Sequence, residues 1–205
     1  MFQQFRARLE RRVHSHRARW SARTLYPFIH SGDRVLDVGA GDCQLDAVLE
    51  QKSGCDVVAV DVSDTNRTTR CVTVYDGLRL PFPDRSFDVV LLIFVLHHTT
   101  DPRAVLAEAQ RVSRRHVIAF EDVNERRWDR WVFRLFHRWL AWSQDISRPN
   151  FEWKRKRWSE LAASLGMTEQ WCGPIGRQLS YFASRHLAFV WNRGQSDVNS
   201  TKRAA

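Results

Sequence analysis

Val35-Leu36-Asp37-Val38-Gly39-Ala40-Gly41 is the run on which the reading of this chain turns. Apolar residues interrupted by one acid lead straight into two glycines. Strands covered by helices on both faces are apolar throughout rather than alternating, so the run predicts a central strand of a parallel sheet. The glycines permit a sharp turn and leave bare backbone for a ligand to approach. Asp42-Cys43-Gln44-Leu45-Asp46 then opens a helix whose first N–H groups have no partner within it and face that ligand.

Downstream, the helix is expected over 43–51, closing at Ser53-Gly54, with a second buried strand over 56–60 that ends on Asp61. Strand, helix and strand at this spacing make a βαβ unit with a right-handed crossover. Residues 63–69 are too few and too polar for a good second crossover helix, and 71–75 reads as a third strand ending at Asp76-Gly77. A proline-punctuated loop over 80–88 precedes a fourth strand at 89–95, followed by His97-His98. A helix over 103–112 starts beside Pro102, where a missing N–H costs little, and a fifth strand at 116–120 runs into Glu121-Asp122.

Upstream, Phe2, Phe5, Leu9, Val13, His16 and Trp20 form one stripe at helical spacing among arginines, predicting a helix over 2–20, with a second short one over 22–29. The bland reading packs that stripe on the domain; the sharper one lays it on anionic lipid or over a substrate. Residues 194–205 read as a flexible polar tail.

The 205 residues suit one domain with a full core. The net charge of +9 is uneven: residues 1–30 hold seven arginines against one acid, whereas 31–120 are net acidic. A basic flank fits nucleic acid, an anionic membrane surface or solubility alone. Cys43, Cys55, Cys71 and Cys172 show no CxxC spacing, so the expectation is a reduced, cytoplasmic protein without a disulfide framework or a metal site. The longest strongly apolar run, 89–96, cannot span a bilayer, and the basic N-terminus has no apolar segment of a secretory signal. The protein is expected to be soluble, or at most peripheral to a membrane.

Asp37, Asp61 and Asp76 stand at three successive strand ends. Ligands of open parallel sheets bind beyond the C-terminal strand ends, near the reversal of strand order, so the three acids are expected to line one site. A carboxylate after the second strand can accept both ribose hydroxyls; one after the third could take an exocyclic amine.

VLDVGAGD, VVAVDVS, YDGLRLPFPDRSFDVV, LLIFVLHHTTDP and EAQRV followed by a strand into ED resemble, in this order, the class I S-adenosylmethionine-dependent methyltransferases, and most of all the ubiquinone/menaquinone C-methyltransferase-like group. The resemblance runs from about Asp33 to Asp122. It implies a Rossmann-like, three-layer α/β/α fold with a seven-stranded, mostly parallel sheet whose last strand is antiparallel, the final pair falling at 169–172 and 185–191 with Gly173-Pro174 breaking between them. It implies one methyltransferase domain over 1–193, with N-terminal helices at 1–30 and a substrate-side helical insertion at 123–160. The implied cofactor is S-adenosyl-L-methionine. Asp37, Gly39, Ala40 and Gly41 would form the turn against its methionine part, Asp61 would bind the ribose, and Val62 would lie beside the adenine. Asp76 and Gly77 would meet the adenine edge, with Phe94 and His97 near the sulfonium. The chain departs from the family pattern at Cys43, where a third glycine is usual, and at Ser113-Arg114-Arg115, where a glycine pair is usual.

Trp128, Trp131, Val132, Leu135, Trp139 and Trp142 share one arc of a helix expected over 125–142, with arginines and His137 opposite. The arc serves a core contact, a lid over an apolar substrate (Trp128, Trp131 and His137 on its substrate side), a membrane interface, or a nucleic-acid surface. The last is weakened because Leu96-His97-His98 occupies the place of the Asn/Asp-Pro-Pro-aromatic motif of enzymes that methylate exocyclic base amines.

Methyl transfer from a sulfonium needs orientation and dryness, and a base only if the acceptor loses a proton. His97 and His98 are the candidates for that base; His137, Glu121 and Asp122 stand behind them. The expected acceptor is small, apolar or lipid-like. Methylation of RNA, a nicotinamide-dependent oxidoreductase (Gly39-x-Gly41 with Asp61 is also that fingerprint) and a non-catalytic cofactor-binding domain are the alternatives.

Overall fold

The computed structural model describes residues 15–66, 68–123, 153–175 and 185–194. Helix α1 covers 15–25 of these. It is followed by β1 (Arg34–Val38), α2 (Gln44–Ser53), β2 (Asp56–Asp61), β3 (Val72–Val74), β4 (Phe87–Ile93), a 3-10 turn (Leu96–His98), α3 (Pro102–Val112), β5 (Ser113–Val123), a helix here named α4 (Arg155–Ser164), β6 (Thr168–Pro174) and β7 (Arg185–Asn192). The strands form one seven-stranded sheet in the order β3-β2-β1-β4-β5-β7-β6. Neighbours from β3 to β5 pair in parallel, and β7 is antiparallel to both β5 and β6. Strand order reverses at β1, with β2 on one side and β4 on the other, which opens a crevice at their C-terminal ends.

The apolar run has the two-sided burial it predicts. Leu36 and Val38 face Val105, Leu106 and Ala109 of α3 and Trp158 of α4. Val35 faces the other way, with Ala18, Ala22 and Leu25 of α1 and Leu45 and Leu49 of α2. Helix α3 owes its start to Asp101, whose Oδ1 accepts from Arg103 N at 2.9 Å and Ala104 N at 3.1 Å, with Pro102 in the first turn. The proline-punctuated loop is clamped to α3: Arg111 donates to Phe82 O (2.9 Å) and Leu80 O (3.0 Å) and pairs with Asp84 (2.8 Å), while Glu108 accepts from Leu80 N (3.0 Å). The LPFPD and EAQR parts of the sequence pattern are therefore halves of one scaffold contact.

Four expectations change. The first helix does not break near residue 21 but runs through 15–25, and its buried face is Ala18, Ser21, Ala22 and Leu25, with His16 exposed. The fifth strand starts at Ser113, directly after α3, because Ser113 takes an extended conformation where a glycine would have turned the chain. The fourth strand stops at Ile93, since Phe94 has φ +60°. Strand β6 continues through Gly173-Pro174, which pair with Ala188 and Leu187. Proline is tolerated there because β6 is the sheet edge, and Gly173 is needed because a Cβ would meet the Trp171 ring at 2.4 Å.

Candidate functional site

The glycine turn follows β1 with Gly39 at φ +76°, Gly41 at +54° and Cys43 at +56°. A Cβ on Gly39 would lie 2.6 Å from Val95 Cγ2, so this position requires glycine on space as well as conformation. Cys43 adopts the left-handed conformation that the usual third glycine would take, which explains how the departure is accommodated. Gly39 N and Ala40 N donate to Val60 O (2.8 and 3.2 Å), and Gly41 N donates to Asp61 Oδ2 at 2.9 Å. The turn is thereby tied to the end of β2, and Asp61 Oδ1 accepts from Val62 N at 2.7 Å.

A cleft of about 320 Å³ opens at this turn, in the size range where small-molecule sites begin. Asp37, Gly39, Ala40, Gly41 and Asp42 line it, with Leu45 and Ile93. Arg17, Ala18 and Ser21 of α1, with Thr65, complete it. Asp37 is buried, and its Oδ1 has no hydrogen-bond partner among the described residues. Burial first, then the charge of neighbouring Asp46, holds its carboxyl well above the usual carboxylate range. A buried acceptor left unmet costs about 1–3 kcal/mol, and a cationic donor bound in the cleft would meet it. These acceptors therefore fit the ammonium of an amino-acid moiety at Asp37 and the hydroxyls of a ribose at Asp61.

Val62 lies next to Gly77: a Cβ there would stand 3.2 Å from Val62 Cγ1. Val62 and Leu78 are exposed apolar side chains (61% and 69%), a surface that a flat base could cover. Asp76 is exposed, and its Oδ1 accepts from Leu78 N (2.8 Å) and Arg79 N (3.0 Å), which lowers its pKa.

At the ends of β4, β5 and β7 the acids have histidine partners. His97 Nδ1 is 2.6 Å from Glu121 Oε2, and Glu121 Oε1 accepts from Leu96 N at 2.9 Å; both side chains are buried. Burial opposes charge on His97, but the Glu121 carboxylate outweighs it and lifts the imidazole above its ordinary value. On the opposite face of the sheet, His186 Nδ1 pairs with Asp122. The Phe94 ring stands between, 6.5 Å from the His97 ring and 5.1 Å from that of His186, with the Arg17 guanidinium 4.4 Å above it. The His98 ring packs on His97 at 4.1 Å.

The structure thus brings Asp37, Gly39, Ala40, Gly41 and Asp61 together, and joins Val62 to Gly77. Phe94 backs the histidines, and Ile93 is the β4 residue that lines the cleft. Trp128, Trp131 and His137 lie outside the described residues. Sequence reasoning missed Arg17, Asp46 and His186; the stripe assigned to the first helix had put Arg17 on the wrong face, and nothing local marks the other two. Among the described residues no group of three or more His, Cys, Asp or Glu is arranged to hold a metal ion, and no helix is long and apolar enough to cross a membrane.

A Rossmann-like sheet with a reversed seventh strand and a ligand cleft at its order reversal defines the class I methyltransferase fold. Residues 36–120 match the family model described as a methyltransferase domain, which bears out the sequence resemblance to the class I methyltransferases. Demethylmenaquinone methyltransferase of Tropheryma whipplei (strain Twist) is 30% identical over 123 residues, which are 55% of this chain and 51% of that protein. The chain spans about half the length of the curated relatives it matches. The methyltransferase solved in complex with the Trm112 methyltransferase activator of Haloferax volcanii superposes with a TM-score of 0.72 at 18% identity, covering 95% of this chain and 98% of that one. Geranyl diphosphate methyltransferase in complex with SAM gives a TM-score of 0.66 at 16% identity over 89% and 86% of the two chains. At these identities the two structures speak for the fold alone.

Proposed function

We propose that this protein transfers the methyl group of S-adenosylmethionine to a small, apolar acceptor. The observation that carries this reading is the buried Asp37 oxygen, unmet among the described residues, at the cleft by the glycine turn, together with the Asp61 carboxylate tied to Gly41. Bound S-adenosylmethionine supplies a methyl group already activated on a sulfonium. Asp37 would receive its ammonium, Asp61 the ribose hydroxyls, and Val62 and Gly77 the base. The quinone-type name of the relative from Tropheryma supports an apolar acceptor of that kind.

His97 is the group that would take a proton from the acceptor. Its Nδ1 is held by Glu121, which fixes the tautomer, and its Nε2 makes no hydrogen bond among the described residues. The imidazolium formed there would be stabilised by the buried Glu121 carboxylate.

Calorimetry with S-adenosylmethionine and with NAD tests the cofactor: binding of the former alone is expected, and binding of NAD alone would overturn the reading. Transfer of a labelled methyl group to fractions of a cell extract then finds the acceptor. Label appearing in an organic-extractable fraction is expected; label confined to RNA would replace the small-molecule reading.

A further inference from the structure

Asp46 takes no part in the family pattern, yet it is completely buried beneath the glycine turn. A lone aspartate in the first turn of a helix ordinarily faces water; α2 instead turns this one inward, onto Asp37 at the end of β1. Among the described residues neither Asp46 oxygen makes a well-formed hydrogen bond, and neither does Oδ1 of Asp37; the groups around Asp46 are the Asp37 carboxyl, the Cys43 thiol and the Arg70 guanidinium. Two ionised carboxylates are acceptors only and cannot bond one another. A single proton would make one a donor to the other and join one oxygen of each.

The neighbouring charges do not remove that need. Arg70 Nε stands 3.6 Å from Asp46 Oδ2, but its terminal nitrogens are engaged by Glu50 and, at 2.5 Å, by Val57 O. Asp61 from β2 and Glu50 from α2 add negative charge, and Asp42 and Arg17 line the cleft beyond Asp37. Cys43, packed against both acids, stays a neutral thiol because burial and their charges push it up to about 12.

We propose that Asp37 and Asp46 hold one proton between them and that an ammonium binding at Asp37 expels it, so that Asp46 makes cofactor binding proton-linked. The proposal rests on the cofactor reading of the cleft. In balance, the pair goes from one proton to none, the proton leaves to the buffer, and the ammonium keeps its own three. Two facing carboxylates that repel one another when both ionised are tolerated once a cation stands against them. Asp46 does not touch the ligand; it is a positioning residue acting through Asp37. Affinity then rises with pH, by up to about tenfold per unit where the pair still holds its proton, and levels off above.

S-Adenosylhomocysteine carries the same ammonium, whereas 5′-methylthioadenosine is the same nucleoside thioether without the amino-acid moiety. Calorimetry of the whole chain with each, in buffers of differing ionisation enthalpy across about pH 5 to pH 9, reads the protons released. Release approaching one proton is expected with S-adenosylhomocysteine and none with methylthioadenosine, a contrast that needs no variant. Asp46→Asn, with its fold checked by thermal melting, is expected to bind S-adenosylhomocysteine within a few-fold of wild type at the upper end of the range, with no release and a flat pH profile. Binding of S-adenosylhomocysteine by wild type without proton release anywhere in that range overturns the proposal and leaves the cofactor reading standing. Binding of neither nucleoside overturns the cofactor reading, and the proposal with it.

Discussion

Two stretches of one sheet edge handle the same problem in opposite ways. At the ends of β1 and β2, and under them in α2, buried carboxyls meet with too few donors: among the described residues Asp37 Oδ1 and both oxygens of Asp46 have no hydrogen-bond donor, and Arg70 stands 3.6 Å from Asp46 Oδ2. At the ends of β4, β5 and β7, the equally buried Glu121 has a backbone N–H at 2.9 Å and an imidazole at 2.6 Å, and Asp122 has His186. The first stretch leaves a site rich in acceptors that a cationic ligand would complete. The second supplies its own donors, so its acids serve the histidines they hold. An acid at a strand end therefore has no fixed meaning; the inventory of donors around it sets its role.

The largest effect expected from breaking this contrast is on the histidine side. A positioned general base contributes roughly 100- to 10,000-fold to rate, so His97→Ala should lower kcat within that range while cofactor affinity stays within about twofold. Glu121→Gln keeps the shape but removes the charge that raises the imidazole. A base works when deprotonated, so activity rises as pH passes through the His97 value, and Glu121→Gln should move that rising limb to lower pH. Imidazole titration by NMR checks the shift without the acceptor. An unmoved titration would mean that Glu121 does not tune His97.

On the glycine-turn side, Asp37→Asn should weaken S-adenosylmethionine binding roughly 10- to 100-fold, since a hydrogen bond to a charged group contributes about 1.5–3 kcal/mol. Asp61→Ala should cost about tenfold or more: it removes the ribose acceptor and frees Gly41 N, at roughly 1–2 kcal/mol for lost and unmet hydrogen bonds. Isothermal titration of both variants checks the order. If Asp61→Ala titrates like wild type, the ribose lies elsewhere.

How much of this was legible beforehand follows from which signals are local. The β1 turn and the βαβ unit are written in contiguous residues, because two-sided burial and positive φ each demand particular residue types at the position itself. Asp37, Gly39, Gly41 and Asp61 were found that way. Asp46 was not: its burial arises only when α2 docks on β1, and in the sequence it is one polar residue in an unremarked helix. His186 lies far along the chain from Asp122 and meets it only through the antiparallel pairing of β7 with β5. Arg17 was hidden by a stripe that favoured Trp20, whereas docking selected the small residues Ala18 and Ala22, which let α1 approach the cleft. The pattern 80–88 was legible as a family mark, but its job, bonding to Glu108 and Arg111, is scaffolding.

The smallest effect separates the two stretches most finely, because each turns out of its first strand with help from a non-glycine residue at positive φ: Cys43 at +56° and Phe94 at +60°. For an L-residue that conformation costs roughly 1–2 kcal/mol. At Cys43 the side chain is a small buried thiol whose contact from Sγ to Gly41 O is long at 3.9 Å. At Phe94 the ring packs on Phe120, on the two histidines and under Arg17. Cys43→Gly relieves the strain but adds unfolded-chain freedom worth roughly 0.5–1 kcal/mol and loses the thiol's packing, so its net change should stay within about 1 kcal/mol. Phe94→Gly relieves the same strain and loses an aromatic side chain, whose removal from a core costs about 3–5 kcal/mol and less where it is half-buried, so it should destabilise by about 2 kcal/mol. Denaturant melts of the two variants give the comparison directly, with cofactor affinity of Cys43→Gly expected within about twofold of wild type. A Cys43→Gly variant as unstable as Phe94→Gly would show that the thiol, packed against Asp37 and Asp46, is a working part of the glycine-turn site and not a tolerated substitute for glycine.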